Sequence, residues 1–178
     1  MKNIYVLVGQ SASGKDTLLN NLLNLGIGTK LVSHTSRPIR NGEIEGKSYY
    51  FKSRDWFEEN KKDFIQLLEF NNWYYGLHKE ELNKEAKTLI TILSPKGIEL
   101  LRNHIDNEHI KVIYLKVDEH TRRERLLFRN DDIVEINRRL KTDKEDFKDI
   151  NKLNPYVIDG TLSPVELVKI VSKYIKEC

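Results

Sequence analysis

The chain is poor in the residues that would mark an extracellular, fibrous or membrane protein. Its one cysteine is Cys178, the last of 178 residues, which excludes an internal disulfide framework and a cysteine-built metal cluster. Four prolines and nine glycines are too few for a collagen-like or Pro/Gly-rich disordered chain. No apolar run approaches the roughly 18–20 residues of a membrane span. Met1-Lys2-Asn3 leads straight into a strand-like run, so neither a signal peptide nor a membrane contact is expected. An excess of one charge is missing too. Against 30 Lys plus Arg stand 27 Asp plus Glu, a net charge of +3, which argues against a nucleic-acid-binding protein and for a well-solvated surface. The expected compartment is a reducing cytoplasm. His34, His78, His104, His109 and His120 have no metal-ligand spacing. The length suits about one domain with a sizeable core.

What the chain does have is a loop built for phosphate. Asn3-Ile4-Tyr5-Val6-Leu7-Val8 runs into Gly9-Gln10-Ser11-Ala12-Ser13-Gly14-Lys15-Asp16-Thr17 and then into Leu18-Leu19-Asn20-Asn21-Leu22-Leu23. A strand, a glycine loop and an amphipathic helix in that order let backbone N–H groups curl around an anion. The helix N-terminus adds partial positive charge, and Lys15 can reach the β- and γ-phosphates of ATP. The pattern G-x-x-x-x-G-K-[ST] asks for a hydroxyl where this chain carries Asp16, with Thr17 one place later. Either residue, directly or through a water, is a candidate contact for Mg²⁺.

Strand-like runs recur at 3–8, 31–34, 88–93, 111–117 and 156–159, with helical stretches predicted at 14–25, 94–103, 119–129, 133–150 and 163–176. Ser163, Pro164 and Glu166 form a helix-start signature. The alternation predicts an α/β fold of the P-loop NTPase type, a parallel sheet with helices on both faces. Two stretches break it. Residues 35–87, with both tryptophans and the tyrosine pairs 49–50 and 74–75, read as a small mixed-sheet insertion with short antiparallel strands at 48–51, 65–70 and 72–76. Residues 122–139 carry Arg122, Arg123, Arg125, Arg129, Arg138 and Arg139. Glu124, Asp131, Asp132 and Glu135 dilute them, so most are expected on a solvated helix face. A phosphoryl-transfer enzyme nonetheless needs mobile cations on a closing lid.

Those stretches carry a family resemblance. The segment from Ser33-His34-Thr35-Ser36-Arg37 through Arg40, Gly42-Glu43 and Gly46 to Tyr49-Tyr50-Phe51 resembles the guanylate kinase pattern S-x-T-T-R-x-x-R-x-G-E-x-x-G-x-x-Y-x-F. Phe64-Ile65 with Asn72-Trp73-Tyr74-Tyr75-Gly76 resembles that family's next block, and Arg125-Leu126 to Leu140 its lid. The resemblance implies a single domain of three parts: a core (1–33, 88–118, 151–178), an acceptor-binding region (34–87) and a lid (119–150). It also implies transfer of a phosphoryl group from ATP, with Mg²⁺, to a nucleoside monophosphate such as GMP or dGMP. By the same carry-over Arg125 contacts ATP beside Gly9 and residues 11–17. Asp159 falls where the family packs a loop on adenine.

The chemistry of the residues fits that role. Arg37 and Arg40, three apart, can grip a phosphate dianion, and the phenols of Tyr49 and Tyr75 can donate to it; Tyr50 and Tyr74 read as aromatic core. The attacking phosphate is already ionised, so no base is required. Lys15, Arg40, Arg129 and Arg139 are the candidate catalytic cations. The departures cluster at the base. The family's guanine-binding Glu falls on Gln66, a following Ser on Leu77 and an Asp on Ser94, while Ser33 is kept and Glu69 lies near. An amide offers one acceptor where guanine presents two adjacent donors, so the acceptor stays open. Ribose 1,5-bisphosphokinases share Gly-Lys-Asp and a segment like Glu135-Ile136-Asn137-Arg138-Arg139-Leu140. The non-catalytic guanylate-kinase-like modules of scaffolding proteins are the binding-protein alternative. The remaining expectation is a monomer or homodimer with no nucleic-acid or membrane partner.

Overall fold

The computed structural model describes residues 2–70 and 72–178, with only the backbone of Phe70. The long apolar runs form the central strands. β1 (Asn3–Val8) is followed, after the glycine loop, by α1 (Lys15–Asn24), whose Leu18, Leu19 and Leu22 form its buried stripe. β2 is only Thr29–Lys30. The residues that complete the first sheet come later: β7 (Thr88–Ile92), β8 (Ile110–Lys116) and β9 (Tyr156–Asp159). The order is β2-β7-β1-β8-β9, all in parallel register. A strand alternates sides, and β1 uses both. Tyr5 and Leu7 pack with Leu18, Leu22, Leu167 and Val171 on one face, whereas Ile4, Val6 and Val8 pack with Leu31, Ile65, Leu77 and Ile98 on the other.

The first face is covered by α1 and α6 (Pro164–Glu177), which opens with the capping box Ser163/Glu166 and Pro164 in its first turn. On the second face lie α3 (Pro95–Leu101) and the second sheet. That sheet consists of β3 (His34–Thr35), β4 (Tyr50–Phe51), β5 (Phe64–Phe70) and β6 (Trp73–His78), in the order β4-β3-β6-β5. It is mixed, as expected, because β3 and β4 run parallel while the other pairs are antiparallel; the antiparallel direction expected of the strand at 48–51 is corrected. A short helix, α2 (Arg54–Glu59), capped by Ser53 and buried through Phe57, was not foreseen.

The run 31–34 is not one strand. Leu31 N–H still donates to the Ile90 carbonyl at 2.9 Å, but Val32 N–H donates to the buried Glu81 carboxylate at 2.5 Å. The chain thereby leaves the first sheet and enters the second. Its apolarity reflects burial at the crossing, not strand pairing. The predicted helix 133–150 ends early as well: α5 covers Ile133–Asp146, and residues 150–153 form a separate 3-10 turn. α4 (Glu119–Phe128) is capped by Asp118, whose carboxylate accepts from Thr121 N–H at 2.9 Å. No helix among the described residues is long and apolar enough to cross a membrane.

Candidate functional site

At the C-terminal edge of β1 the chain turns tightly. A Cβ on Gly9 would stand 2.5 Å from Ser13 Oγ and 2.9 Å from the Leu115 carbonyl, so only glycine fits. Ala12 sits at φ 60 and Gly14 at φ 96. A non-glycine residue in that region costs about 1–3 kcal/mol and persists only where its surroundings impose it. Here they do. The Ala12 methyl packs against Leu126, Ile136 and Leu140 of α4 and α5, and its carbonyl accepts from Arg125 Nη1 at 3.1 Å. Lys15 Nζ folds back on the Gln10 carbonyl at 2.9 Å and Ser13 Oγ at 3.3 Å. Burial pulls its ammonium below the ordinary lysine value, and Asp16 and Asp143 partly oppose that shift.

Asp16 and Thr17 both stand exposed on the first turn of α1 and face different spaces. Asp16 lines a cavity of about 270 Å³ with Lys30, Ser33, Glu43, Ser48 and Tyr49. Thr17 lies in a groove with Ala12, Arg125, Arg129, Gly160 and Leu162. A second cavity, of about 300 Å³, brings Gly9, Ser11 and Lys15 to Tyr75, Gln66 and Ser94. The two cavities share Ser33, Tyr49 and Ile92, so they form one cleft between the loop and the second sheet.

Arg37 is buried behind this cleft, not free within it. Its guanidinium forks onto Glu43 (Nη2 to Oε1 2.5 Å, Nη1 to Oε2 2.7 Å) and lies 5.2 Å from the Tyr49 ring and 5.6 Å from the Phe51 ring. The Arg37 fork holds the Glu43 carboxyl down at about 2. Tyr49 and Tyr75 stand 6.2 Å apart, and burial, with Asp16 beside it, pushes the Tyr49 phenol up. Arg40 is exposed, and its backbone N–H donates to Glu43 Oε2 at 2.8 Å. Glu43 thus organises both arginines, a role the residue-by-residue reading of the sequence missed.

The predicted base-reading residues are not gathered equally. Gln66 is buried in the cleft, and its Oε1 has no hydrogen-bond partner; a Cβ on Gly97 would stand 1.6 Å from that oxygen. Ser94 lines the same cavity, but its Oγ caps α3 by accepting from Gly97 N–H at 3.1 Å. Glu69 does not reach the cleft. It pairs across β5 and β6 with Tyr74 and forms an exposed ion pair with Arg54 at 2.8 Å. The register shift of β5 lies between Phe64 and Gln66, upstream of Glu69, so strand alternation sends Glu69 to the opposite face. Tyr74 is core, packed on Phe57 and Phe64.

On α5, Arg139 bonds Glu135 at 2.7 Å and Asp131 at 3.3 Å, and Arg138 bonds Glu135 at 2.7 and 2.8 Å. These forks hold the Glu135 carboxyl at about 2. Arg129 is exposed beside the Thr17 groove. Arg125 reaches the Gly160 carbonyl at 3.1 Å, while Asp159 caps its own turn by accepting from Thr161 N–H at 2.9 Å. Arg122 is the exception to the solvated-face expectation, the one buried arginine of the six. It is 2% exposed and paired at 2.8 Å with the buried Asp143, which also accepts from Ser11. The missed signal is spacing: Arg122 and Leu126 share a helix face, as do Ile136, Leu140 and Asp143.

The comparisons agree with one another. A family model described as guanylate kinase matches residues 1–163. The guanylate kinase of Wigglesworthia glossinidia brevipalpis is 30% identical over 186 aligned residues, covering 97% of this chain and 89% of that protein. The human guanylate kinase is 33% identical over 186, covering 97% and 93%. The crystal structure of guanylate kinase from Anaplasma phagocytophilum matches with a TM-score of 0.75 at 24% identity, covering 99% of this chain and 85% of that one, a likeness of fold.

Proposed function

The chain belongs to the guanylate kinase family, and on that premise we propose that it transfers the γ-phosphoryl group of ATP to GMP or dGMP. The observation that carries the reading is the single cleft in which Lys15 and the glycine loop face Ser33, Tyr49 and Tyr75, with Glu43 in its lining and Arg37 behind it. A phosphate oxygen of the monophosphate attacks the γ-phosphorus as the bond to the β-phosphate oxygen breaks and ADP leaves. The nucleophile is already ionised, so no side chain has to take a proton, and the rate depends on alignment and charge neutralisation.

Lys15 would leave the Gln10 carbonyl for the β- and γ-phosphates. Arg40 would clamp the acceptor phosphate, joined by Arg37 once its guanidinium turns from Glu43 into the cleft, with the Tyr49 and Tyr75 hydroxyls as neutral donors. Arg125, Arg129 and the loop at Gly160 line the groove proposed for the ATP nucleoside. Arg129 and Arg139 would come from the lid, Arg139 exchanging Asp131 and Glu135 for phosphate oxygens. The lid segment 119–150 is anchored through Leu126, Leu140 and Asp143, so closure is expected in its exposed tip, about 127–135. Asp16, a hard oxygen donor on the acceptor side of the loop, suits Mg²⁺, with Thr17 turned to the nucleoside groove. When bound, Mg²⁺ supplies further neutralisation of phosphate charge. The assembly proposed is a monomer or a homodimer.

The test is ADP release with GMP, dGMP, IMP, AMP, UMP, CMP and ribose 1,5-bisphosphate as acceptors. GMP or dGMP should rank first. The matching relatives are guanylate kinases, which does not favour the ribose 1,5-bisphosphate alternative. Turnover of that compound with every monophosphate inert would overturn the assignment.

A further inference from the structure

Three donors converge on one buried carboxylate that lines the cleft and has no role in the proposed reaction. Asp143 on α5 accepts from Ser11 N–H through Oδ2 at 2.9 Å and from Ser11 Oγ through Oδ1 at 3.2 Å. Arg122 Nη1 of α4 reaches its Oδ2 at 2.8 Å. Arg122 is itself anchored by Nε to the Val117 carbonyl at 3.2 Å, at the end of β8. The N–H that Asp143 holds belongs to the Gln10–Ser11 peptide. The carbonyl of that same peptide accepts from Lys15 Nζ at 2.9 Å and from Ser13 N–H at 3.2 Å. A peptide is planar and rigid, so fixing the direction of its N–H fixes that of its C=O.

We propose that Asp143 is a positioning residue for ATP. Its carboxylate, held by Arg122, sets the Gln10–Ser11 peptide and through it the turn of the loop and the resting place of Lys15. The role rests on the reading that this loop binds ATP. It also accounts for a buried ion pair that packing alone does not require, since an apolar pair of similar volume is often as stable or more so. Arg125 on the Ala12 carbonyl and the apolar packing of its methyl act on the next residue of the loop. The anchored bases of the lid helices therefore hold the loop while their tip remains exposed.

The experiment compares Asp143→Ala with the double variant Arg122→Leu/Asp143→Leu. Asp143→Ala should lower the melting temperature, because Arg122 is left buried without its partner. The double variant should recover it. In both, the KM for ATP should rise by about tenfold, the scale expected when a binding group is misplaced, with the KM for GMP within about twofold. Hydrogen exchange of the ligand-free protein should be faster at the Ser11 amide in both variants. A double variant with the wild-type KM for ATP, equal rises in both KM values, or unchanged exchange at Ser11 overturns the proposal. Should the wild type turn over no ATP, the functional reading fails while the exchange measurement still decides whether Asp143 holds the loop.

Discussion

The two ends of the cleft are built differently. At the phosphate end, polar groups are met: the Gln10–Ser11 peptide is bonded at both ends, Arg122 and Asp143 satisfy one another, and Ala12 is wedged by three leucine or isoleucine side chains. At the acceptor end, two buried polar atoms of cleft-lining residues lack partners among the described residues, Gln66 Oε1 and Thr91 Oγ1, and Ser94 serves a helix cap. Phosphate is bound by backbone and fixed cations, which a short motif dictates. A base is read by side chains arriving from separate strands, each free to change.

The largest expected effect is at the phosphate end. Lys15→Ala removes the one ammonium within the glycine loop and should lower kcat by about 10²–10³-fold, about 3–4 kcal/mol of transition-state stabilisation. The melting temperature should hold, because the variant relieves the burial of a charge. Near-normal turnover would sink the phosphate-end half of the comparison. Arg37→Ala probes the junction between the ends. It should raise the KM for GMP by about 2–3 kcal/mol, the scale of charge-assisted bonds to phosphate, and leave the KM for ATP unchanged. A rise shared by both substrates would mean that Arg37 supports the fold through Glu43, Tyr49 and Phe51, not the acceptor.

Legibility in the sequence followed the same divide. The strand, loop and helix of the phosphate end were readable because backbone geometry demands glycine and Lys15 at fixed spacing. The parallel sheet was readable because strands buried on both faces must be continuously apolar. Arg122 and Asp143 are hidden from a reading by charge, which sends both to solvent, although each lies on the apolar stripe of its helix and is buried. Leu31 and Val32 looked like a strand because burial at a sheet crossing demands the same residues. Parity could have excluded Glu69, since Gln66 and Leu68 face the cleft and a strand alternates. The parallel pairing of β4 and the Arg37–Glu43 fork depend on loop 38–49, whose course no local pattern fixes.

Acid should act on the second sheet through the aromatic cluster behind the cleft, where His34 packs with Tyr50, Trp56, Phe64 and His78. Burial, with the nearby His78, Lys52 and Lys84 charges, lowers His34 from 6.5 to about 4. Between those values the unfolded chain binds the proton that the folded protein refuses, so stability rises with pH across that window. It is lost as pH falls from about 6.5 to 4. The loss should approach about 3 kcal/mol for a shift of this size. His34→Phe keeps an aromatic ring stacked on Trp56, at 5.3 Å in the native protein, without the titration. Denaturant unfolding at several pH values should show a flatter profile for the variant, and parallel profiles would place the acid sensitivity elsewhere.

The smallest effect sharpens the comparison most. Gln66→Glu would supply the second acceptor that the N1–H and N2–H₂ groups of guanine can use, which the amide lacks. The inner oxygen would lie against the first turn of α3, which carries no acidic residue, where a negative charge is tolerated. The outer oxygen would face the base. Opposing this, Asp143 and Asp146 line the same cavity, and a third carboxylate there is partly repelled. The balance should tighten GMP by about 1–2 kcal/mol, within the range of a charge-assisted hydrogen bond, without the same gain for AMP. KM values for both nucleotides in the two proteins decide it. A gain confined to GMP makes residue 66 the reader of the base, whereas an equal change for both, or none, leaves guanine selection to Ser33 and the backbone around it.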